Sequence, residues 1–287
     1  TGLDHMELAR ALIMGDLPNH LPESEDILGG LPSIAEMMEA EGISAEAVCG
    51  LIASPESTGE EALDRFWNKH EYFPSKDYAH QIIHGPVDAD QMDYLMRDAH
   101  HTGVSHGSID CERLIKTMMV QNDRIVLRRG GITAAEGLMV SRSLMYTTVY
   151  FHETVRIAQR MLTKAVENSG LDLSDIYLRG DADLMSMVVS AGGRPSRSIR
   201  RLQARMLDKK AFALYSDDMT EEKAEVLLGY TGREGARRLE REVAEAAGVD
   251  EYDVGAEVTS SSNLQGRMKI GKTDVAIADD GGRIKSL

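Results

Sequence analysis

The sequence predicts a mainly α protein, a helical body over residues 1–169 followed by a smaller α+β lobe over residues 170–287. Three observations predict it. Apolar residues recur at helical spacing through most of the first part. From Thr133 to Glu167 there is no proline and one glycine, Gly137, so this stretch reads as one long helix. After Gly170 the pattern changes to short helical segments, a candidate strand "AFALYS", and a glycine-rich tail from Tyr252 that reads as a small β element. A chain of 287 residues, 42% of them hydrophobic, has enough apolar surface to bury a core.

The elements follow in order. Asp4 caps a helix over residues 5–15, and "LPSIAEMMEAEG" offers Ser33 as N-cap, Glu36 three positions on and Gly42 near the stop, within a helical region over 33–53. Loops rich in proline and glycine separate these, and a further helix is expected at 60–71. Residues 87–101 and 109–120 read as helices, and "DRIVLRR" before Gly130 and Gly131 as a short strand at a hairpin. In the second part "SDIYLRGDADLMSMVVSAG", "PSRSIRRLQARML" and "TEEKAEVLLGYTGREGARRLEREVAEAAG" are helical.

Acidic residues outnumber basic ones, 47 against 32, for a net charge of −15. This balance argues against a nucleic-acid scaffold, and a polyanionic substrate must be met by locally placed cations or a metal. Cys49 and Cys111 are far apart with no metal-ligand spacing, so a reducing cytoplasm is the expected home. The apolar runs are short, and neither a membrane span nor a secretory leader is expected. An apolar helix starting so near Thr1 leads to the expectation that further chain precedes it.

The stretch "GPVDADQMDYLMRDAHHTGVSHG" holds the first candidate site. Met92, Leu95, Met96 and Ala99 define an apolar stripe, while Asp90, Tyr94 and Asp98 fall at i, i+4 and i+8 along another line. Such a line is either a solvated polar face or a ligand surface. It carries no lysine or arginine of its own; a carboxylate is a ligand for hard or transition-metal cations, and a phenol and a carboxylate can hydrogen-bond sugar hydroxyls. His100 and His101 sit where histidines cap helix C-termini, and adjacent histidines face different ways, which disfavours joint chelation.

The second candidate is "SRSLMYTTVYFHETVR", which spaces Arg142, Tyr146 and Tyr150 at i, i+4 and i+8 while Leu138, Met145, Val149 and Val155 serve the core. Arg142 presents a planar fork suited to phosphate, and Tyr150 a ring suited to a base or sugar; the plain alternative is a salt bridge beside two ordinary amphipathic tyrosines. A third feature, "RPSRSIRRLQARMLDKK", has seven basic residues and one acidic, with Arg197, Arg201 and Arg205 on one line opposite Ile199, Leu202 and Met206. It is either a solvated face or a site for phosphates or a subunit.

The first two stretches resemble the HD-domain metal-dependent phosphohydrolases, in the branch of the deoxynucleoside triphosphate triphosphohydrolases, dGTPase-like. The likeness runs from "DHMELARALI" to about residue 165, more weakly into the tail. The resemblance implies an HD-domain-like helical body, a divalent metal (Mn, Mg, Fe, Zn or Ni), a nucleotide substrate and a homo-oligomer; the charge balance and short apolar runs already disfavour nucleic acid and membrane as partners. By position it implies Asp90 as a metal ligand, Tyr94 and Asp98 on the deoxyribose, Arg142 on phosphate, Tyr150 near the sugar or base, and His5 as the candidate catalytic residue. The implied chemistry is attack of a metal-activated water on a phosphate ester.

The sequence departs from the family pattern in three places. It has no His-Asp dipeptide, so the family's first histidine and His-Asp pair are expected upstream of Thr1; Met6 follows His5 where glutamate is usual; and Gln91 stands where some relatives carry a phosphate-contacting lysine. Two functions stay open, a metal-dependent nucleotide phosphohydrolase completed by upstream ligands and a catalytically silent nucleotide-binding or assembly module of the same fold. An interaction scaffold is the third.

Overall fold

A computed structural model describes residues 5–20, 24, 30–52, 77–174, 176–214, 219–258, 275–279 and 281–287. Its chain forms two compact units, one of residues 1–145 with 272–287 and one of residues 146–271. The boundary expected after residue 169 therefore falls inside the second unit.

In the first unit α1 (His5–Met14), α2 (Ile34–Ala40) and α3 (Ala45–Ile52) share a small core of Ile13, Ala45 and Cys49, with Met14, Ile34, Met38 and Val48 packed against it. Ser33 and Glu36 cap α2 reciprocally as the sequence predicts, and Gly42, at φ 72°, separates α2 from α3. The helix expected at 60–71 lies outside the described residues. Next come α4 (Asp77–Ile83), α5 (Ala89–Thr102) and α6 (Cys111–Thr117).

The helix expected over 109–120 stops at Thr117. Met118–Gln121 is instead a strand, β1, paired antiparallel with β2 (Arg124–Arg128) from Met118 opposite Leu127 to Gln121 opposite Arg124. The turn is Asn122-Asp123, both at positive φ (50° and 66°), the left-handed pair that a two-residue hairpin demands. The glycine pair taken as the hairpin signal instead completes a 3₁₀ turn (Arg129–Gly131) that leads into the next helix. The tail does supply strands: β3 (Ala276–Ala278) lies parallel to β2, and β4 (Ile284–Ser286) antiparallel to β3, giving the order β1-β2-β3-β4. Val126 and Leu127 are fully or almost fully buried in this sheet.

The single long helix expected from Thr133 to Glu167 is broken. Helix α7 (Ile132–Met145) gives way to a π turn (Tyr146–Tyr150), closed by the Phe151 amide donating to the Tyr146 carbonyl at 2.8 Å. Helix α8 (Glu153–Glu167) then restarts with His152 as N-cap, its Nδ1 accepting from the Thr154 amide. Three β-branched residues, Thr147, Thr148 and Val149, occupy the break, where their crowded χ1 makes a regular helix less favourable.

The second unit holds α8, α9 (Asp181–Ala191), α10 (Gly193–Gln203), α11 (Glu221–Leu228) and α12 (Gly232–Ala247). Ala165, Val188 and Ile199, from α8, α9 and α10, form its buried centre, with Leu162, Leu184 and Val189 around them. Residues 211–214 are irregular, so "AFALYS" supplies no strand there; Tyr215 and Ser216 lie outside the described residues. Helix α10 ends at Gln203 and Arg205 has φ 56°, so Arg205 and Met206 leave the expected stripe, Met206 being exposed. Arg194 pairs with Asp250, Arg201 with Asp208 and Lys210 with Glu153, which places part of the basic segment in ordinary surface pairs. Among the described residues no helix is long and apolar enough to cross a membrane. Both cysteines are free, Cys49 buried in the α1–α3 core.

Candidate functional site

Helix α5 starts at a tight corner. A Cβ on Gly85 would stand 2.4 Å from the Gln81 carbonyl oxygen, so the chain turns there only with glycine. Asp88 is the N-cap, its Oδ1 accepting from the Gln91 amide at 2.7 Å. Gly103, at φ 73°, ends the helix and donates to the Ala99 carbonyl. The following loop folds back on α5 at Gly107, where a Cβ would meet both Ala99 and the Leu95 carbonyl at 2.3 Å. The Ser141 hydroxyl of α7 donates to the His106 carbonyl, tying this loop to α7.

The buried line of α5 is not the one its apolar residues suggest. Asp88, Gln91 and Leu95 are buried, Met92 and Ala99 half-buried, and Met96 is 42% exposed. On α7 the buried residues are Ala134, Ala135, Leu138, Ser141, Arg142 and Met145, one helical stripe in which Arg142 lies four positions after Leu138. Arg142 is therefore held in the packed face of its helix, 4% exposed.

These two faces meet through a polar chain. Arg142 Nη1 donates to Gln91 Oε1 at 2.9 Å. Gln91 Nε2 donates to Asp88 Oδ2 at 2.7 Å and to the Gly85 carbonyl at 2.9 Å. Each polar group so joined is buried, which is the condition under which a hydrogen bond to a charged group is strongest. Neither Asp88 nor Gln91 was a sequence candidate. The signal was present as aspartate before a helix with glutamine at its third position, a pattern close to a capping box, though here the glutamine turns to the carboxylate.

The predicted residues distribute as follows. Asp90 is exposed, one step from buried Gln91, and Tyr94 and Asp98 are half-buried on the same helix. Arg97, the only basic side chain of α5 besides its histidines, is held bidentately by Asp93, off the Asp90 line. His100 and His101 close the last turn, exposed and edge to face at 5.2 Å. His5 is exposed at the first residue of α1. Tyr150 belongs to the second unit, where its ring lies 5.0 Å from that of Tyr146, edge to face. The structure thus joins the α5 and α7 stretches directly, through Gln91 and Arg142.

Among the described residues no group of three or more histidine, cysteine, aspartate or glutamate side chains is placed to hold a metal ion. A catalytic divalent cation takes about three protein ligands, so the described residues do not fit that group, and Asp90 alone does not make a metal centre. A small open cleft in the same unit is lined by Gln81, Val87, Met118, Arg124 and Val275, none of them a predicted site residue.

Comparison with known proteins gives a family. A family model described as "HD associated region" matches residues 109–280. The uncharacterized protein MJ1154 of Methanocaldococcus jannaschii is 40% identical over 116 residues, 38% of this chain and 26% of the relative. The uncharacterized protein YwfO of Bacillus subtilis is 44% identical over 88 residues, 31% of this chain and 20% of the relative. The matched segments thus span about a quarter or less of the length of these curated relatives. Among solved structures, a phosphohydrolase of Bacteroides thetaiotaomicron is 20% identical with a TM-score of 0.48, the match covering 98% of this chain and 78% of that one. A hypothetical protein of Aquifex aeolicus is 27% identical with a TM-score of 0.46, covering 80% and 63%.

Proposed function

The chain belongs to the HD associated region family, and on that premise we propose that it is the nucleotide-binding body of a phosphohydrolase that cleaves deoxynucleoside triphosphates. The observation that carries the reading is the Gln91–Arg142 hydrogen bond, which brings into contact the two stretches resembling the deoxynucleoside triphosphate triphosphohydrolases. A helix carrying Asp90, Tyr94 and Asp98 packs beside a helix carrying a buried guanidinium. Arg142 binds a phosphate oxygen, since its fork is rigid, permanently charged and already desolvated. The Tyr94 hydroxyl donates to, and the Asp98 carboxylate accepts from, the hydroxyls of a sugar. Tyr150 lies in the other unit, and its assignment to the sugar or base rests on the resemblance alone.

Family resemblance implies a divalent cation, and the described residues do not supply its donor set. Homo-oligomeric assembly and a cytoplasmic setting belong to the same proposal. The alternative, a silent nucleotide-binding module, is favoured by one observation, that no metal donor set is found among the described residues.

The test uses the protein made from the gene's full reading frame beside the chain of 287 residues. Triphosphate release from each deoxynucleoside triphosphate is measured with manganese, magnesium, iron, zinc or nickel added. The reading expects turnover by the former with one of these metals and nucleotide binding by both. Binding without turnover under every metal selects the silent module, and absence of binding ends both.

A further inference from the structure

We infer that Asp88 and Gln91 are positioning residues for Arg142, a relay that fixes the direction in which the guanidinium is offered to phosphate. The inference rests on the functional reading above and adds to it two residues that touch no substrate. Three independent constraints converge on the Gln91 amide. Asp88 Oδ2 and the Gly85 carbonyl are pure acceptors, and both are reached by Nε2, at 2.7 and 2.9 Å. The NH₂ end must therefore face them, which leaves Oε1 facing Arg142 Nη1 at 2.9 Å.

Asp88 is in turn fixed by its other oxygen, which accepts from the Gln91 amide as the cap of α5. Asp88 is 3% exposed, Gln91 2% and Arg142 4%, so water is largely kept from competing for these bonds. The helix cap thus sets the amide, and the amide sets the guanidinium. A lysine at position 91 would put a cation against Arg142, whereas glutamine supplies an acceptor, so in this chain position 91 supports the arginine instead of joining it on the phosphate.

Affinity for the four deoxynucleoside triphosphates and for inorganic triphosphate is measured by titration calorimetry on wild type, Arg142→Ala, Gln91→Leu, Asp88→Asn and the double variants carrying Arg142→Ala. Thermal unfolding of each is recorded, so that titrations are run well below every midpoint. Arg142→Ala is expected to weaken binding roughly tenfold or more, the scale of one lost charge-assisted contact. Gln91→Leu, which keeps Arg142, should lose nearly as much, and adding it to Arg142→Ala should change little further.

Asp88→Asn keeps the size and the capping oxygen but opposes an NH₂ to Gln91 Nε2, so the amide rotates and presents a donor to Arg142. Its loss of affinity should likewise vanish in the Arg142→Ala background, which a purely structural role would not produce. If Arg142→Ala weakens binding while the Gln91→Leu and Asp88→Asn losses add to it in full, the relay is overturned and the functional reading survives. If wild type does not bind, or Arg142→Ala binds as wild type does, the reading falls and takes the relay with it.

Discussion

Each unit buries a cluster of charge, and the two clusters are built differently. In the second unit Glu240 is 1% exposed; it accepts from Arg160 Nε at 2.8 Å and from the Ala256 amide, and forms ion pairs with Arg160 and, at 3.4 Å, with Lys164 Nζ. Lys164 also donates to the carbonyls of Glu251 and Val254. Opposite charges touch, and the lysine and the carboxylate reach into the 251–256 segment. In the first unit Arg142 bonds the neutral amide of Gln91, and the carboxylate of Asp88 stands one bond further back. The first arrangement is a fastening between α8 and α12. The second orients a cation through a dipole, an arrangement that suits the ligand-binding role proposed for Arg142.

The contrast can be broken experimentally. Glu240→Ala leaves the buried Lys164 and the half-buried Arg160 without their carboxylate, and the cost should be about 3–5 kcal/mol in urea unfolding. Its effect on nucleotide affinity should be nil once the variant is folded, and an affinity loss comparable to that of Arg142→Ala would erase the distinction. Asp88→Ala removes a cap and the partner of Gln91, and should cost about 1–2 kcal/mol by the same measurement while also weakening nucleotide binding.

A gentler probe is pH. Burial pushes the Glu167 carboxyl up, but Arg237, Arg233 and Arg160 together outweigh burial and leave it below its ordinary value. A carboxyl depressed by folding adds stability above its unfolded pKa and loses that contribution as pH falls through the folded one. The second unit should therefore weaken on acidification below about pH 4.3, and Glu167→Gln should flatten that limb in thermal melts recorded against pH. An unchanged acid limb in the variant would show that these arginines do not hold the carboxylate in solution.

The smallest effect is expected at the hairpin. Asp123 sits at φ 66°. A left-handed side-chain residue costs about 1–2 kcal/mol, partly offset by glycine's greater freedom when unfolded, about 0.5–1 kcal/mol. Asp123→Gly should raise stability by roughly 0.5–1 kcal/mol, and a loss would mean that the aspartate side chain supports the turn.

Local signals were legible in the sequence where the physics is local. Ser33 with Glu36 and Gly42 marked both ends of α2, and the periodicity of α5 set its extent to within a residue or two. Signals that depend on distant partners were not. Met118–Gln121 pairs across a hairpin whose outer neighbour, β3, comes from about 150 residues later, so its apolar run read as more helix. The break at Tyr146–Tyr150 contains no proline or glycine, the residues by which a helix end is usually read. At the site, Arg142 was found from spacing and resemblance, but its burial was not. Gln91 was noted only for what it replaced, because a polar residue on the core face of a helix shows its purpose only when the opposite helix is in place.

Hydrogen–deuterium exchange of the 287-residue chain, with and without a deoxynucleoside triphosphate, tests the central claim most directly. The site placed on α5 and α7 predicts slowed exchange in peptides spanning residues 88–98 and 138–145, reduced in Arg142→Ala. Protection confined to the basic segment around residues 194–210, with none in those two helices, would contradict it.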